Sequence, residues 1–376
     1  MKKKKGSIYS RKNLKSSYSC MLYFNYFLNK YADIQLFSFT RKTDLPKKYR
    51  DNCYSMFDLW YGNIRFVRYL LSSIHFFFRM VRYDDIAVIQ DLDYFIPAYY
   101  AKKLKKNLVI IHYNTEIHGE DVHYPNHIVS FYEKHAGFPN LIIDCLKERA
   151  EFRSKKYCHQ KVYYINNTIP LSDLQMIDDS DETYKKYLNF DNENPIICYA
   201  GGCDLSRGLG DIIDCIDEVK DKVNFVFFCH GVEKEKRNVV SACKKAIDQN
   251  VCHVYDAIPR TSLLNVLRHC HIGINYYDPN LSINHYYASP TKVFEYMGVG
   301  LNIISTNNEG INHIIEDNNI GVCIHDNESL TNAINRLLEK GLCPRDEVKK
   351  IFAEKYCYEK DSTRVIDEVI RLCRDN

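Results

Sequence analysis

An alternation constrains this chain more than any other feature. Short runs rich in β-branched and aromatic residues recur along it, separated by stretches with helical spacing. In the second half the runs are IICYA (196–200), NFVFF (224–228), CHVYD (252–256), IGINY (272–276) and NIIST (302–306). Between them lie GDIIDCIDEVKD, KRNVVSACKKAIDQN and RTSLLNVLRHC. A continuous apolar run describes a strand buried on both faces, and such strands alternating with helices of about three turns describe βαβ units on a parallel sheet. The first half repeats the pattern with IQLFSF (34–39), IAVIQ (86–90), LVIIH (108–112), LIIDC (141–145) and VYYIN (162–166), and with YFIPAYYAKKLKK and CLKERAEFRSKKY as helices.

At 376 residues the chain is too long for one ordinary core. The expected architecture is therefore α/β, with two Rossmann-like doubly wound domains facing a cleft. The polar stretch 171–195 reads as the connection between them. Ligands of such sheets sit at the carboxyl ends of the strands, which directs attention to loops 112–122, 201–208, 277–291 and 306–311.

Residues 1–83 hold 17 Lys and Arg against 4 Asp, a net +13, whereas residues 84–376 carry a net −10. The basic part points to an anionic partner: phosphate groups, a lipid surface or nucleic acid. Only charge speaks for nucleic acid, so none is expected. Residues 64–83, IRFVRYLLSSIHFFFRMVRY, hold four arginines and no acid. The segment is too polar to span a bilayer and reads equally as a helix on an anionic membrane surface or as a core helix with a wet arginine face. The 15 cysteines form no CxxC pair and no export signal is visible, so reduced thiols in a cytoplasmic protein are expected. His269, Cys270 and His271 invite a zinc reading, but three adjacent residues cannot all face one ion.

Two motifs carry chemistry. In YAGGCDLSRGLG, Gly201 and Gly202 end a strand and Arg207 precedes a helix; exposed amides and a forked cation there suit a phosphate, although a plain tight turn reads equally well. The spacing is not the dinucleotide fingerprint GxGxxG. In ASPTKVFEYMGVG (288–300), Ser289 suits a helix N-cap and Pro290 the first helical position. The amides of Thr291, Lys292 and Val293 would then be free, with Lys292 as a point charge for phosphate and Glu295 as an acceptor for a ribose diol. The plainer alternative is an i,i+3 ion pair between Lys292 and Glu295.

SPTKVFEYMGVG after a strand, YAGG…RGL before it and FAEKYCYEKD near the end resemble the nucleotide-sugar half of retaining GT-B glycosyltransferases, glycosyltransferase family 4. The resemblance covers most of residues 190–376, and DDIAVIQDLDYFIPAYYAKKLKKNLVIIHYNTEIHGE resembles the acceptor-side domain more loosely. It implies an acceptor domain over 1–170, a nucleotide-sugar domain over 171–350, and a terminal helix over 351–376 crossing back to the first. It implies a hexosyltransferase of polysaccharide synthesis using a nucleoside-diphosphate sugar, with a glycan or lipid-linked glycan acceptor. No cofactor and no metal are implied. Glu295 would hold the ribose, and Lys292 with Arg207 would neutralise the leaving diphosphate; Gly201, Gly202, Pro290, Thr291 and Val293 complete the donor site. In HYNTEIHGED (112–121), Glu116 and His118 are the leading candidates to orient sugar or acceptor. Residues 1–83 would place the enzyme on the inner face of the membrane.

The sequence departs from the family at Tyr287, where a Glu is common, at Gly202, where a basic residue often stands, and in SIYSRKNLKSSYS, which lacks a glycine-rich loop. An alternative follows: a silent GT-B protein that binds nucleotide or glycan, or scaffolds a partner transferase.

Overall fold

All ten apolar runs are strands in the computed structural model, which describes residues 3–11, 14, 20–56, 65–117, 124–159, 161–178, 180–325 and 328–375. Two units are present, residues 1–166 with 362–376, and residues 167–361.

The first unit holds β1 (Lys5–Tyr9), β2 (Asp33–Ser38), β3 (Cys53–Ser55), β4 (Ile86–Gln90), β5 (Val109–Tyr113), β6 (Leu141–Asp144) and β7 (Val162–Tyr164). They pair in parallel in the order β3-β2-β1-β4-β5-β6-β7. Every residue of β4 and β5 is buried, as a sheet covered on both faces requires. Aromatic rings fill much of the core: Tyr9 lies 4.3 Å from Phe76, and Phe95 4.9 to 5.2 Å from Tyr132, Phe138 and His112. The terminal helix Thr363–Asp375 belongs to this unit, where Glu368 pairs with Lys161 at 3.3 Å.

The second unit holds β8 (Ile196–Gly202), β9 (Asn224–His230), β10 (Cys252–Asp256), β11 (Ile272–Asn275), β12 (Asn302–Thr306) and β13 (Gly321–Ile324), in the all-parallel order β10-β9-β8-β11-β12-β13. Successive residues of a strand enter opposite cores. Phe225 and Phe227 pack on one face with Ile197 and Tyr199, while Val226 and Phe228 pack on the other with Cys198.

The stretch 171–195 differs from the connection expected of it. Leu171, Leu174, Ile177, Tyr184, Tyr187 and Leu188 all pack against the second unit's core. Thr168 Oγ1 donates to Tyr356 O at 2.6 Å, and Phe352 and Cys357 are buried in the same core. The boundaries therefore fall at 166/167 and 361/362, where 170/171 and 350/351 were expected.

Within the stretch 64–83, residues 65–82 form one helix that is only partly covered. In the helix Arg65–Arg82, Phe76 and Met80 are fully buried, while Leu70, Leu71, Ile74 and Phe78 are exposed. Against the helix Phe95–Leu104 it forms an apolar groove of about 590 Å³, lined by Ile74, Phe77, Phe78, Ile96, Tyr100 and Leu104 among others. Among the described residues no helix is long and apolar enough to cross a membrane.

All 15 cysteines are free thiols, most of them buried as small apolar side chains. His269, Cys270 and His271 diverge: His269 stacks on Tyr184 at 3.5 Å, the Cys270 thiol donates to Val266 O, and His271 Nδ1 accepts from Ile196 N. Among the described residues no three His, Cys, Asp or Glu side chains gather as metal ligands.

Candidate functional site

In the second sheet the strand order reverses between β8 and β11: β8 leads outward to β9 and β10, β11 to β12 and β13. Loops leaving the carboxyl ends of two such strands run apart and open a crevice. Residues 203–208 leave β8 there, and residues 276–290 leave β11 and lead into the helix Thr291–Val299.

That helix is fixed by its buried face. Val293, Phe294, Tyr296 and Met297 are fully buried. The Tyr296 ring lies where a Cβ on Gly273 of β11 would stand, so only glycine at 273 admits it. The Tyr296 hydroxyl accepts from Ala200 N at 3.2 Å, tying the helix to the end of β8. Gly300, at φ 84°, closes the helix in the left-handed conformation that glycine adopts freely.

The helix start corrects the sequence reading. Pro290 is the N-cap, and Thr291 the first helical residue. Ser289 therefore caps nothing: the residue is 6% exposed and its hydroxyl has no partner among the described residues, while its carbonyl accepts from Asn167 Nδ2 at 3.0 Å. The Val293 amide is not free, because it donates to Pro290 O at 3.1 Å. Among the described residues the amides of Thr291 and Lys292 have no acceptor.

Lys292 is 9% exposed and lies against two aromatic faces, 4.6 Å from the Tyr199 ring centroid and 4.8 Å from that of Tyr277. Among the described residues it has no carboxylate and no hydrogen-bond acceptor, which removes the plain i,i+3 pair with Glu295. The walls of this slot are held firmly. Tyr199 donates to Gly202 O at 2.9 Å, Thr306 Oγ1 accepts from Tyr277 N at 3.0 Å, and Asn308 Nδ2 donates to Tyr277 O at 3.2 Å and His285 O at 2.8 Å. A cation on a ring face gains about 0.5 to 2 kcal/mol. Taking an ammonium out of water without a counter-charge costs several kcal/mol. The deficit is what an anion in the crevice would remove.

Glu295 pairs instead with Arg260, Nη2 to Oε1 at 2.9 Å, each side chain 13% exposed. Arg260 is the first residue of the helix Arg260–Leu267 that follows β10. Sequence reading missed it, along with Tyr199, Tyr277, Thr306 and Asn308. Pro259 before Arg260 marked a helix start, but nothing local joined that start to Glu295.

At the glycine turn, β8 runs through Gly201 and Gly202, which pair with Cys229 and His230 of β9. These glycines therefore extend a strand rather than opening a turn. The turn is at Gly208, at φ 98°, where the Tyr276 ring occupies the place of a Cβ. Asp204 caps the start of the short 3-10 turn Leu205–Arg207 before it by accepting from Ser206 N at 3.0 Å. The Arg207 side chain lies outside the described residues, as does His118.

Glu116 belongs to the first unit, in the loop after β5, where its carbonyl accepts from Arg153 Nη2 at 3.2 Å. Beneath that loop Asp144 is fully buried between Arg149 at 2.9 Å and Arg153 at 2.7 Å. Arg149 Nη1 also donates to Thr115 O at 3.3 Å, and Arg153 Nη1 to the Tyr132 hydroxyl at 2.6 Å. Burial works against the Arg153 charge, but Asp144 outweighs it and holds the guanidinium pKa above its ordinary value.

Residues 180–355 match the family model of the glycosyl transferases, group 1. No curated protein sequence matches the chain. Among solved structures, a glycosyltransferase from Rickettsia africae is similar at 14% identity, over 100% of each chain, with a TM-score of 0.73. HepE from Anabaena, in complex with UDP-glucose, is similar at 11% identity over 98% of this chain and 99% of that one, with a TM-score of 0.72. WaaG, a glycosyltransferase involved in lipopolysaccharide biosynthesis, is similar at 12% identity over 97% and 99%, with a TM-score of 0.61. At such identities the likeness is one of fold, and the fold is GT-B.

Proposed function

We propose, from the match of residues 180–355 to the glycosyl transferases, group 1, that this chain moves a hexosyl group from a nucleoside-diphosphate sugar to a glycan or lipid-linked glycan. One observation carries the reading: a nearly buried Lys292 with no counter-charge among the described residues, in the first turn of a nine-residue helix at the strand-order reversal. The Thr291 and Lys292 amides and the Ser289 hydroxyl, without partners among the described residues, add donors suited to phosphate oxygens. That HepE is found with UDP-glucose supports this class of donor.

In the proposed reaction the bond from the anomeric carbon to the phosphate oxygen breaks, and the electron pair leaves on the diphosphate. The acceptor oxygen forms the new bond on the same face and gives up its proton, which neutralises the departing phosphate. Lys292 and Arg207 stabilise the developing negative charge, generally the largest contribution at such a centre. Glu295 accepts the ribose hydroxyls, and Glu116 with His118 orients the acceptor. Since side chains supply the positive charge, activity is expected to persist in EDTA. A lipid-linked acceptor suits the exposed apolar face of Arg65–Arg82 and the basic residues 1–83, which would hold the protein on the cytoplasmic face of an anionic membrane.

Calorimetry with UDP, GDP and ADP, and then with their glucose conjugates, tests the site. Lys292→Met is expected to weaken the preferred nucleotide about a hundredfold; unchanged affinity would remove the assignment.

Tyr287 supports a second reading, a binder without transfer. The position expected to carry an acid presents a ring, 4.8 Å from that of Tyr286. Release of nucleoside diphosphate from a sugar conjugate, followed by chromatography, separates the two readings.

A further inference from the structure

The Arg260–Glu295 pair joins two helices that both begin at the carboxyl end of the second sheet, Arg260–Leu267 after β10 and Thr291–Val299 after β11. Arg260 holds one carboxylate oxygen at 2.9 Å, and among the described residues the other oxygen of Glu295 has no partner. Both side chains are largely withdrawn from solvent, so the ion pair limits how far the carboxylate can turn. A carboxylate restrained this way offers an acceptor and no donor.

We propose that Arg260 is a positioning residue: it aims the free oxygen of Glu295 at the sugar hydroxyls of a ribonucleoside diphosphate and so sets selectivity for ribo- over deoxyribonucleotides. The inference rests on the nucleoside-diphosphate reading of the Lys292 site. An acceptor fixed in a partly desolvated site loses more than one hydrogen bond when the ligand lacks the hydroxyl, because it is then left unpaired. With Arg260 removed, the carboxylate turns toward water, and the missing hydroxyl costs less.

The test measures the ratio of dissociation constants for a 2′-deoxyribonucleoside diphosphate and its ribo counterpart, by calorimetry on the full chain, using the base preferred among UDP, GDP and ADP. The wild-type ratio is expected to be about ten or more. Arg260→Ala is expected to bring it to within about threefold of unity, with Arg260→Lys intermediate because an ammonium lacks the planar fork. Glu295→Gln should lower the ratio with Arg260 intact, and adding Arg260→Ala should then change it no further. A merely structural role for Arg260 would weaken both nucleotides equally and leave the ratio at the wild-type value, which would overturn the proposal. So would a wild-type ratio of one. Wild-type protein that binds none of the three ribonucleotides would instead remove the reading of the Lys292 site, and this inference with it. Thermal melts of each variant separate lost folding from lost selectivity.

Discussion

The two units bury charge at the carboxyl ends of their sheets in opposite ways. In the first, Asp144 is closed between Arg149 and Arg153, and the guanidinium groups reach on to Tyr132, Thr115 O and Glu116 O. In the second, Lys292 has two tyrosine faces and no counter-charge among the described residues. The closed cluster sets two guanidinium groups against one carboxylate and braces the loop after β5. The open one has a charge that an anion would match. Burial alone does not distinguish the two; what differs is whether the buried cation has a carboxylate beside it.

Breaking the closed cluster should have the largest effect. Asp144→Ala leaves two guanidinium groups buried without their carboxylate, and about 3 to 5 kcal/mol of stability should be lost. Urea unfolding measures this, and a loss under 1 kcal/mol would deny that the cluster is structural. The matching change in the second unit should act on function instead. Lys292→Met should lower donor turnover about a hundred- to a thousandfold and leave the urea midpoint equal or higher, since a thioether suits the tyrosine slot better than a lone ammonium does. A Lys292→Met variant that unfolds as readily as Asp144→Ala would erase the contrast.

The sequence revealed the parts of this contrast that periodicity and local spacing carry. The ten strands were readable because each is an apolar run, and the helix 291–299 because its stop at Gly300 is local. Strand β1 was hidden, since its Ser7 and Tyr9 both meet the buried Asp84 rather than a purely apolar core. Residues 171–195 looked polar because their six packed side chains are spaced among acids and asparagines. Lys292 and Glu295 were found by their motif, but their partners were not. Tyr199, Tyr277 and Arg260 lie 93, 15 and 35 residues away from Lys292 and Glu295 respectively, and only the β8–β11 switch brings them together. The helix start was misjudged by one residue because Ser-Pro fits two capping registers equally well.

A smaller effect concerns pH. In the first unit, burial pushes the Asp84 carboxyl up to about 6, against the opposing hydrogen bonds from Tyr9 and Ser7 and the Arg79 charge. An acid whose folded pKa exceeds its unfolded one binds its proton more tightly when folded. Its contribution is therefore full below about pH 4 and lost as pH rises through about 6. The loss should be no more than about 3 kcal/mol. Asp84→Asn should flatten the stability profile of the protein between those pH values; an unchanged profile would assign the slope elsewhere.

The units differ also in what they leave unsatisfied at the surface, and here the smallest effect is expected. The second leaves a cation, while the first leaves apolar area: Phe78 is 63% exposed and Leu104 69%, across the groove between Arg65–Arg82 and Phe95–Leu104. Water opposes such a contiguous face, and a bilayer surface does not. The net +13 of residues 1–83 adds attraction to anionic lipid that salt should weaken. Co-sedimentation with vesicles containing phosphatidylglycerol should therefore exceed that with neutral phosphatidylcholine vesicles. Phe78→Ser and Leu104→Ser should each lower it about tenfold at constant charge, about 1.4 kcal/mol of lost apolar transfer. If both variants sediment like the wild type while salt abolishes binding, the basic residues alone make the contact. The apolar groove would then have no part in it.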